Sequence, residues 1–148
     1  MKLKIIALFM SILVFGCATA PKASQTENLE AKKFVTSDTE STIYIFRTGT
    51  LVGAAISFEV SFDGKLLGTV GPNTFHMVKV EPGNHSIAVT SAENTDFENI
   101  TTTSGENYFF KVHPKMGVVT ARTGITMVTE EEGMKMVRKG NLLKSMLY

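Results

Sequence analysis

Cysteine and tryptophan are almost missing from this chain of 148 residues, which has one cysteine, Cys17, and no tryptophan. A single cysteine cannot form a disulfide within the chain, so the fold must rest on its hydrophobic core alone. A surplus of charge is missing too, because 15 basic side chains face 14 acidic ones. Without a basic stripe, nucleic acid is not expected as a partner.

Long apolar segments are also scarce, and one stands at the N-terminus. Residues 5–16 form an apolar run that follows Lys2 and Lys4 and ends directly before Cys17. The run is shorter than the roughly 20 residues that a membrane-spanning helix needs. A basic start, an apolar middle and a small residue at the end are typical of a secretory signal. The sequence therefore predicts that residues 1–16 are a cleaved signal peptide.

The cysteine at the cleavage point gives this signal a specific character. The tetrapeptide Val14-Phe15-Gly16-Cys17 resembles the lipobox of bacterial lipoproteins. That resemblance implies a diacylglycerol on the Cys17 thiol and a further fatty acid, such as palmitate, on its new amino group. Several acyl chains together hold a protein durably on a membrane. The alternatives are an uncleaved anchor helix and a secreted protein with a free thiol.

The residue after the cysteine bears on where the protein resides. In the lipoprotein family, Asp after the lipidated cysteine favours retention in the inner membrane, and here the residue is Ala18. If the host is Gram-negative, we expect the periplasmic face of the outer membrane. The predicted partners are the membrane itself, through the lipid, and another envelope protein.

Residues 17–40 are mostly polar and are predicted to be the lipidated N-terminus and a flexible tether. They contain few large apolar side chains, so they have little surface to bury against the cost of ordering. An amphipathic helix over residues 27–35 is the alternative. The domain itself is predicted over residues 41–148.

From residue 41 the pattern changes to that of strands. Residues 43–46 are β-branched or aromatic, which predicts a buried strand. Residues 56–62 alternate apolar and polar side chains and lead into Asp63-Gly64, a pair that favours a type I′ hairpin turn. Pro82-Gly83 predicts a second hairpin between strands at 74–80 and 85–92.

Three more candidate strands, at 97–103, 108–113 and 118–128, follow with regular turn signals between them. About seven or eight short strands predict a mainly β fold, an antiparallel β-sandwich of the immunoglobulin-like or prealbumin-like kind. Thr129 followed by Glu132 has the spacing of a capping box, which predicts one short C-terminal helix. Gly133 would weaken that helix by about 1 kcal/mol relative to Ala.

Five segments together resemble the DUF2846 domain, a family of small bacterial lipoproteins of unknown function. They are IYIFR (43–47), SFEVSFDGKLLG (57–68), VEPGNHSI (80–87), GENYFFKV (105–112) and EEEGMKMV (130–137). The resemblance covers about residues 40–140 and implies a β-sandwich domain of the envelope. It implies no catalytic residues, because its motifs are signatures of turns and strands.

Catalytic and metal-binding patterns have little support. In the predicted second hairpin, His76 and His85 would lie roughly 13 Å apart, too far to share an ion. His113 is expected to be exposed. No G-x-S-x-G elbow or phosphate-binding loop occurs, so we expect no enzyme, no metal and no cofactor.

Arg47 and Arg122 are the polar candidates for contact with a ligand. An arginine at the rim of a sheet can bind a carboxylate or phosphate in a bidentate manner. The alternative for Arg47 is a structural ion pair with Glu59 or Glu81.

The expected function is therefore that of a membrane-anchored, non-catalytic binding or scaffolding module. The alternative is a lipoprotein that binds a small ligand, such as a glycan or peptidoglycan fragment, by stacking on Tyr44, Tyr108 or Phe110. A hydrolase is the third possibility, which would need clustered His, Asp and Ser side chains in one cleft.

Overall fold

A computed structural model of the chain describes residues 20–51 and 53–147. The predicted signal peptide and Cys17 lie outside these residues. Within the described part, no helix combines the length and the apolar character that crossing a membrane requires.

The described residues form two sheets and two short helices. In chain order the elements are α1 (Gln25–Ala31), β1 (Ser41–Arg47), β2 (Phe58–Phe62), β3 (Lys65–Val70), β4 (Thr74–Val80), β5 (Gly83–Thr90), β6 (Thr95–Thr102), β7 (Asn107–Lys115), β8 (Arg122–Val128), α2 (Glu130–Val137) and β9 (Asn141–Leu142). Sheet 1 has the strand order β8-β7-β1-β4-β9, and sheet 2 has the order β3-β2-β5-β6.

The predicted mainly β sandwich with a short C-terminal helix is confirmed. The described residues contain nine strands instead of seven or eight. Most strand pairs are antiparallel, but β1 pairs with β7 and β4 with β9 in parallel. The core lies between the two sheets, and a second apolar cluster covers the outer face of sheet 1.

Strand β1 is the centre of sheet 1, and all seven of its residues are buried. Ile43 and Ile45 belong to the core between the sheets, whereas Tyr44 and Phe46 belong to the cluster on the outer face. A run that is apolar on both faces is typical of a strand covered on both sides. The predicted buried strand is thus confirmed.

The first predicted hairpin is confirmed at its turn. Asp63 has a φ of 46° and Gly64 a φ of 74°, the positive values that a type I′ turn requires. The turn joins β2 to β3, which pair in antiparallel register. Asp63 is further fixed because its Oδ1 accepts a hydrogen bond from the N–H of Ser86 in β5.

The second predicted hairpin is wrong. Strand β4 pairs with β1 and β9 in sheet 1, whereas β5 pairs with β2 and β6 in sheet 2. The chain bends at Pro82, as its composition predicts, but this bend carries the chain from one sheet to the other. Turn chemistry specifies a bend and not the sheet to which the next strand adds.

The N-terminal segment also differs from the predicted tether. Its described part, from residue 20, includes α1 instead of being free of structure, with a capping box between Ser24 and Glu27. After the helix, Phe34 is buried, and its ring packs edge-on against Tyr44 and Phe109. The segment is ordered because one large side chain finds a complementary site on sheet 1.

Helix α2 covers the outer face of sheet 1 beside this segment. The Thr129 side chain caps it by accepting a hydrogen bond of 3.3 Å from the N–H of Glu132, as predicted. The Glu132 carboxylate lies 3.6 Å from the Lys111 amine. A Cβ at Gly133 would lie 2.5 Å from Cδ1 of Phe109. Gly133 is therefore required by the close approach of helix to sheet, at the expense of helix propensity.

Candidate interaction surface

The loop between β7 and β8 carries the most exposed group of apolar side chains in one described loop. Met116, Val118 and Val119 are 96%, 83% and 88% exposed. The sequence pattern predicted a strand from residue 118, but β8 begins only at Arg122. We call residues 116–120 the apolar loop. Isolated exposed apolar residues are common, whereas a contiguous group of this kind is a candidate for an interaction surface.

A single carboxylate holds the apolar loop in place. Glu93, in the turn between β5 and β6, accepts hydrogen bonds from three consecutive backbone N–H groups. The distances are 2.9 Å from Val118, 2.6 Å from Val119 and 2.5 Å from Thr120. These bonds, the one from Thr120 foremost, lower the pKa of Glu93 to about 2. The carboxylate is therefore ionised at any physiological pH, and the loop has a permanent acceptor.

Gly117 allows this close approach. A Cβ at this position would lie 2.6 Å from Oε2 of Glu93, which is closer than a carbon and an oxygen that are not bonded to each other can approach. The absence of a side chain at Gly117 thus lets the carboxylate reach the N–H groups that follow it. Gly117 is visible in the sequence, but its role can be recognised only once the position of Glu93 is known.

The turn that carries Glu93 is itself fixed to the edge strand β8. The Asn94 side chain accepts a hydrogen bond of 2.8 Å from the N–H of Thr123 and donates one of 2.9 Å to its carbonyl. Asp96 accepts 3.1 Å and 3.2 Å hydrogen bonds from the N–H of Ile125 and the amine of Lys115. Side chains of sheet 2 therefore occupy the backbone groups that an edge strand leaves unpaired.

The two candidate arginines have different positions. Arg122 is half-exposed, and its Nε lies 3.3 Å from Oε2 of Glu93 at the base of the apolar loop. Lys115, on the other side of the loop, is similarly exposed. The loop is therefore an apolar tip between two cationic side chains.

Arg47 is 2% exposed and does not form a rim. Its guanidinium donates hydrogen bonds to the carbonyl oxygens of Gly53, at 2.5 Å, and Ile56, and it lies 5.1 Å from the centroid of the Phe58 ring. Carbonyl groups, not the carboxylates of Glu59 or Glu81, are thus its partners. Desolvation lowers the pKa of Arg47. Its place in the structure is to tie the segment after β1 to the sheet.

His76 is fully buried in β4, and its environment is that of a structural residue. Its Nε2 lies 3.1 Å from the carbonyl oxygen of Thr69, so it is the nitrogen that donates. Burial lowers the pKa of His76, an effect larger than the opposing one of that hydrogen bond. Because β4 and β5 belong to different sheets, the predicted register of His76 with the strand of His85 does not exist.

His85 lies on the surface of sheet 2, stacked against Phe62. Its Nδ1 is 2.8 Å from Oδ2 of Asp63, and its Nε2 is 2.9 Å from the carbonyl oxygen of Glu81. Partial burial lowers the pKa of His85, but these two acceptors outweigh it and the net pKa is raised. The second nitrogen thus faces a carbonyl and not the hydroxyl of a catalytic serine. His113 is half-buried, not exposed as expected.

Metal binding has no assembled ligand set in the described part of the chain, where no three His, Cys, Asp or Glu side chains lie close enough to share an ion.

The aromatic side chains considered for ligand stacking lie mostly in the interior. Tyr44 and Phe110 are 2% and 1% exposed. The Tyr44 hydroxyl donates to the carbonyl oxygen of Ala31 at 3.0 Å, and burial raises the pKa of Tyr44 to about 12. Tyr108 is half-buried, and its hydroxyl accepts a 3.0 Å hydrogen bond from the N–H of Thr103.

Comparison with known proteins places this architecture in a family. Residues 37–125 match the family described as protein of unknown function (DUF2846). An uncharacterized protein of Haemophilus influenzae is 34% identical over 137 residues, which cover 92% of this chain and 81% of that protein. The family match includes β1 to β7, the apolar loop and the first half of β8. The chain belongs to the DUF2846 family.

Proposed function

We propose that this protein is a lipid-anchored, non-catalytic binding module of the bacterial envelope, which docks a partner protein on its apolar loop. In a Gram-negative host it resides on the periplasmic face of the outer membrane. The observation that carries the proposal is a group of exposed apolar side chains on a loop whose backbone is fixed by Glu93.

The anchor is supported by the sequence of the N-terminus. A basic start, an apolar run of limited length and Gly16-Cys17 at its end have the order of a lipoprotein signal. Durable attachment needs more than one acyl chain, and a lipidated and N-acylated Cys17 supplies them.

The binding role is supported by the rigidity of the apolar loop. A flexible loop loses conformational entropy on binding, whereas a loop held by three hydrogen bonds has already lost it. Exposure of Met116, Val118 and Val119 to water in the free protein is unfavourable and is relieved when a partner covers them.

The charges around the loop indicate the chemistry of the partner. Lys115 and Arg122 flank the apolar side chains and are about half exposed. Each is already paired with a carboxylate of this chain, Asp96 and Glu93, so a complementary partner has an apolar concavity and needs no acidic residue at its rim.

Three measurements test the proposal. Mass spectrometry of the native protein is expected to find Cys17 as the N-terminal residue, carrying diacylglycerol and a fatty acid. A photo-crosslinking residue at position 119, in living cells, is expected to give a discrete adduct that is absent when it stands at exposed Thr101 in β6. The partner recovered should then bind the purified protein, and Val118→Ser with Val119→Ser should abolish that binding. Equal crosslinking from positions 119 and 101 would refute the binding role.

A further inference from the structure

The beginning and the end of the described chain meet on one side of the sandwich. The N–H of Ala20 donates to Oγ1 of Thr69 at 3.1 Å, and the N–H of Lys144 donates to the carbonyl of Pro21 at 2.8 Å. The N–H of Met146 in turn donates to the carbonyl of Leu67 at 2.9 Å. Residues 20–22 and 143–147 thus close the side where β3 and β9 are the edge strands. We call these residues, together with β3, the tail edge.

Docking of the N-terminal segment shortens the spacer between the domain and the proposed lipid at Cys17. The sequence predicted a tether of more than twenty residues between Cys17 and the domain. In the structure, Ala20 is already part of the domain, buried against β3. Three Cα–Cα steps separate it from Cys17, and they span at most about 11 Å.

From this we infer that in the lipidated protein the domain rests directly on the bilayer, with the tail edge facing anionic phospholipid headgroups. The inference depends on the proposed lipid anchor at Cys17. With a lipid at Cys17, the membrane surface lies no farther from Ala20 than three residues can span. The tail edge surrounds Ala20 and is therefore the part of the domain nearest to the membrane.

The side chains of the tail edge have the chemistry of a membrane interface. Lys22, Lys65 and Lys144 are exposed there, and Leu66 and Met146 are 39% and 67% exposed. Lysine near a membrane surface is attracted to anionic lipids, and apolar side chains beside it enter the region between headgroups and acyl chains.

Two acidic side chains, Glu27 and Asp63, lie near these lysines. Hydrogen bonds from Ser24, and to a smaller extent the attraction of Lys144, lower the pKa of Glu27. Asp63, at the turn before β3, is bonded to His85. The lowered pKa keeps Glu27 ionised, and these two carboxylates against three lysines leave an excess of one positive charge among the five groups.

This orientation places the apolar loop away from the membrane. Strands β9 and β8 are opposite edges of sheet 1, four interstrand steps or about 19 Å apart. The loop that begins beside β8 is thus presented towards the aqueous side, where a partner protein can reach it.

A depth measurement on the full-length lipidated protein tests the inference. Because acylation blocks the thiol of Cys17, a cysteine introduced by Leu66→Cys, Met146→Cys or Val118→Cys is a unique site for a fluorophore. The proteins are reconstituted in vesicles of phosphatidylethanolamine and phosphatidylglycerol that contain a spin-labelled quencher lipid. Quenching is expected to be about threefold stronger at positions 66 and 146 than at position 118.

The charge contribution has its own matched pair of variants. Lys22→Gln, Lys65→Gln and Lys144→Gln together should reduce quenching at position 146. The same change at exposed Lys33, Lys135 and Lys139, on the helical side of the domain, should leave it unchanged.

Three results would contradict the inference, and they differ in what else they affect. Acylated protein with equal quenching at positions 66, 146 and 118 refutes the orientation and leaves the anchor intact. Equal effects of the two lysine triplets refute the role of the headgroups. A wild-type protein whose Cys17 thiol still reacts with the fluorophore is not lipidated, and it overturns the anchor and this inference together.

Discussion

Oε1 of Glu93 accepts a hydrogen bond of 2.5 Å from the backbone N–H of Thr120, 27 residues further along the chain. The two residues belong to turns at the same end of the sandwich, one between strands of sheet 2 and one between strands of sheet 1. The bond therefore fixes the exposed apolar loop to the opposite sheet and gives the loop a defined shape.

Replacing Glu93 tests this relationship. In Glu93→Gln only one side-chain oxygen remains as an acceptor. The new side-chain NH2 group faces backbone N–H groups, from which it cannot accept a hydrogen bond. We expect faster hydrogen exchange at Val118, Val119 and Thr120 and loss of the crosslink from position 119. Glu106→Gln, at an exposed position before β7, is the control. Unchanged exchange in Glu93→Gln would show that other contacts hold the loop.

The same carboxylate gives a pH signature. Since its pKa is lowered from 4.5 to about 2, its hydrogen bonds persist above the lower value and are lost as the pH falls through it. Amide chemical shifts of Val118 to Thr120 should therefore be unchanged at about pH 4, where an ordinary glutamate is largely protonated. A transition of these shifts near pH 4.5 would contradict the short hydrogen bonds.

Phe34→Ala tests whether the N-terminal segment is part of the domain. The Phe34 ring is buried against Tyr44 and Phe109 and lies 5.2 Å from the Arg138 guanidinium. Its removal should lower the free energy of unfolding by about 3–5 kcal/mol. Val35→Ala, at an exposed neighbour, should change it by less than about 0.5 kcal/mol. Urea unfolding of a form that begins at Ala18 makes the comparison. Equal stability of the two variants would support the predicted flexible tether instead.

Gly133→Ala separates helix propensity from packing. Alanine would stabilise an isolated helix by about 1 kcal/mol. Here its methyl group would overlap the Phe109 ring, and overpacking of this kind costs about 1–3 kcal/mol or more. We expect a net loss of stability in thermal unfolding, with Lys135→Ala on the exposed face of α2 as the neutral control. An increase in stability would mean that α2 sits further from the sheet.

His76 makes the stability of the fold depend on pH. Because its pKa is below 6.5 in the folded state, the unfolded state binds a proton more readily once the pH falls below 6.5. The contribution of neutral His76 is present above that value and decreases as the pH falls. His76→Gln keeps a donor for Thr69 and does not titrate, so its stability relative to wild type should improve from about pH 7.5 to pH 5. A constant difference across this range would show that His76 is not desolvated.

His85 titrates in the opposite sense. The carboxylate of Asp63 helps to raise the pKa of His85, so its contribution to stability is complete below 6.5 and is lost as the pH rises through the raised value. Asp63→Asn keeps an acceptor for Ser86 and tolerates the positive φ, but it removes the charge. An NMR titration should then show a lower pKa for His85. The same pKa in both proteins would exclude the ion pair.

Local chemistry predicted those elements that are decided within a few residues. The φ values that Asp63-Gly64 requires, the cap that Thr129 supplies and the apolar run at 43–46 each depend on neighbours in sequence. These three features are present in the structure where the sequence placed them.

Other features depend on surfaces that are distant in sequence, and only the tertiary structure decided them. Pro82-Gly83 turns the chain, but the free edges of the two sheets determine which strand it then meets. Phe34 orders its segment through two distant contacts. Asn107, 73 residues away, donates a hydrogen bond to the Phe34 carbonyl, and the Phe34 ring packs against two aromatic rings.

The same distinction between local and distant causes applies to the candidate interaction surface. Sequence by itself determined the fold class, the capped C-terminal helix and the place of the chain in its family, since these follow from periodicity, turn residues and recurrent motifs. It predicted a strand over residues 118–128, because alternation there resembles that of a sheet, whereas residues 118–121 lie outside β8. Only the folded chain places Glu93 beneath those residues, and its carboxylate takes up the N–H groups that a strand would have paired, leaving the apolar side chains in water.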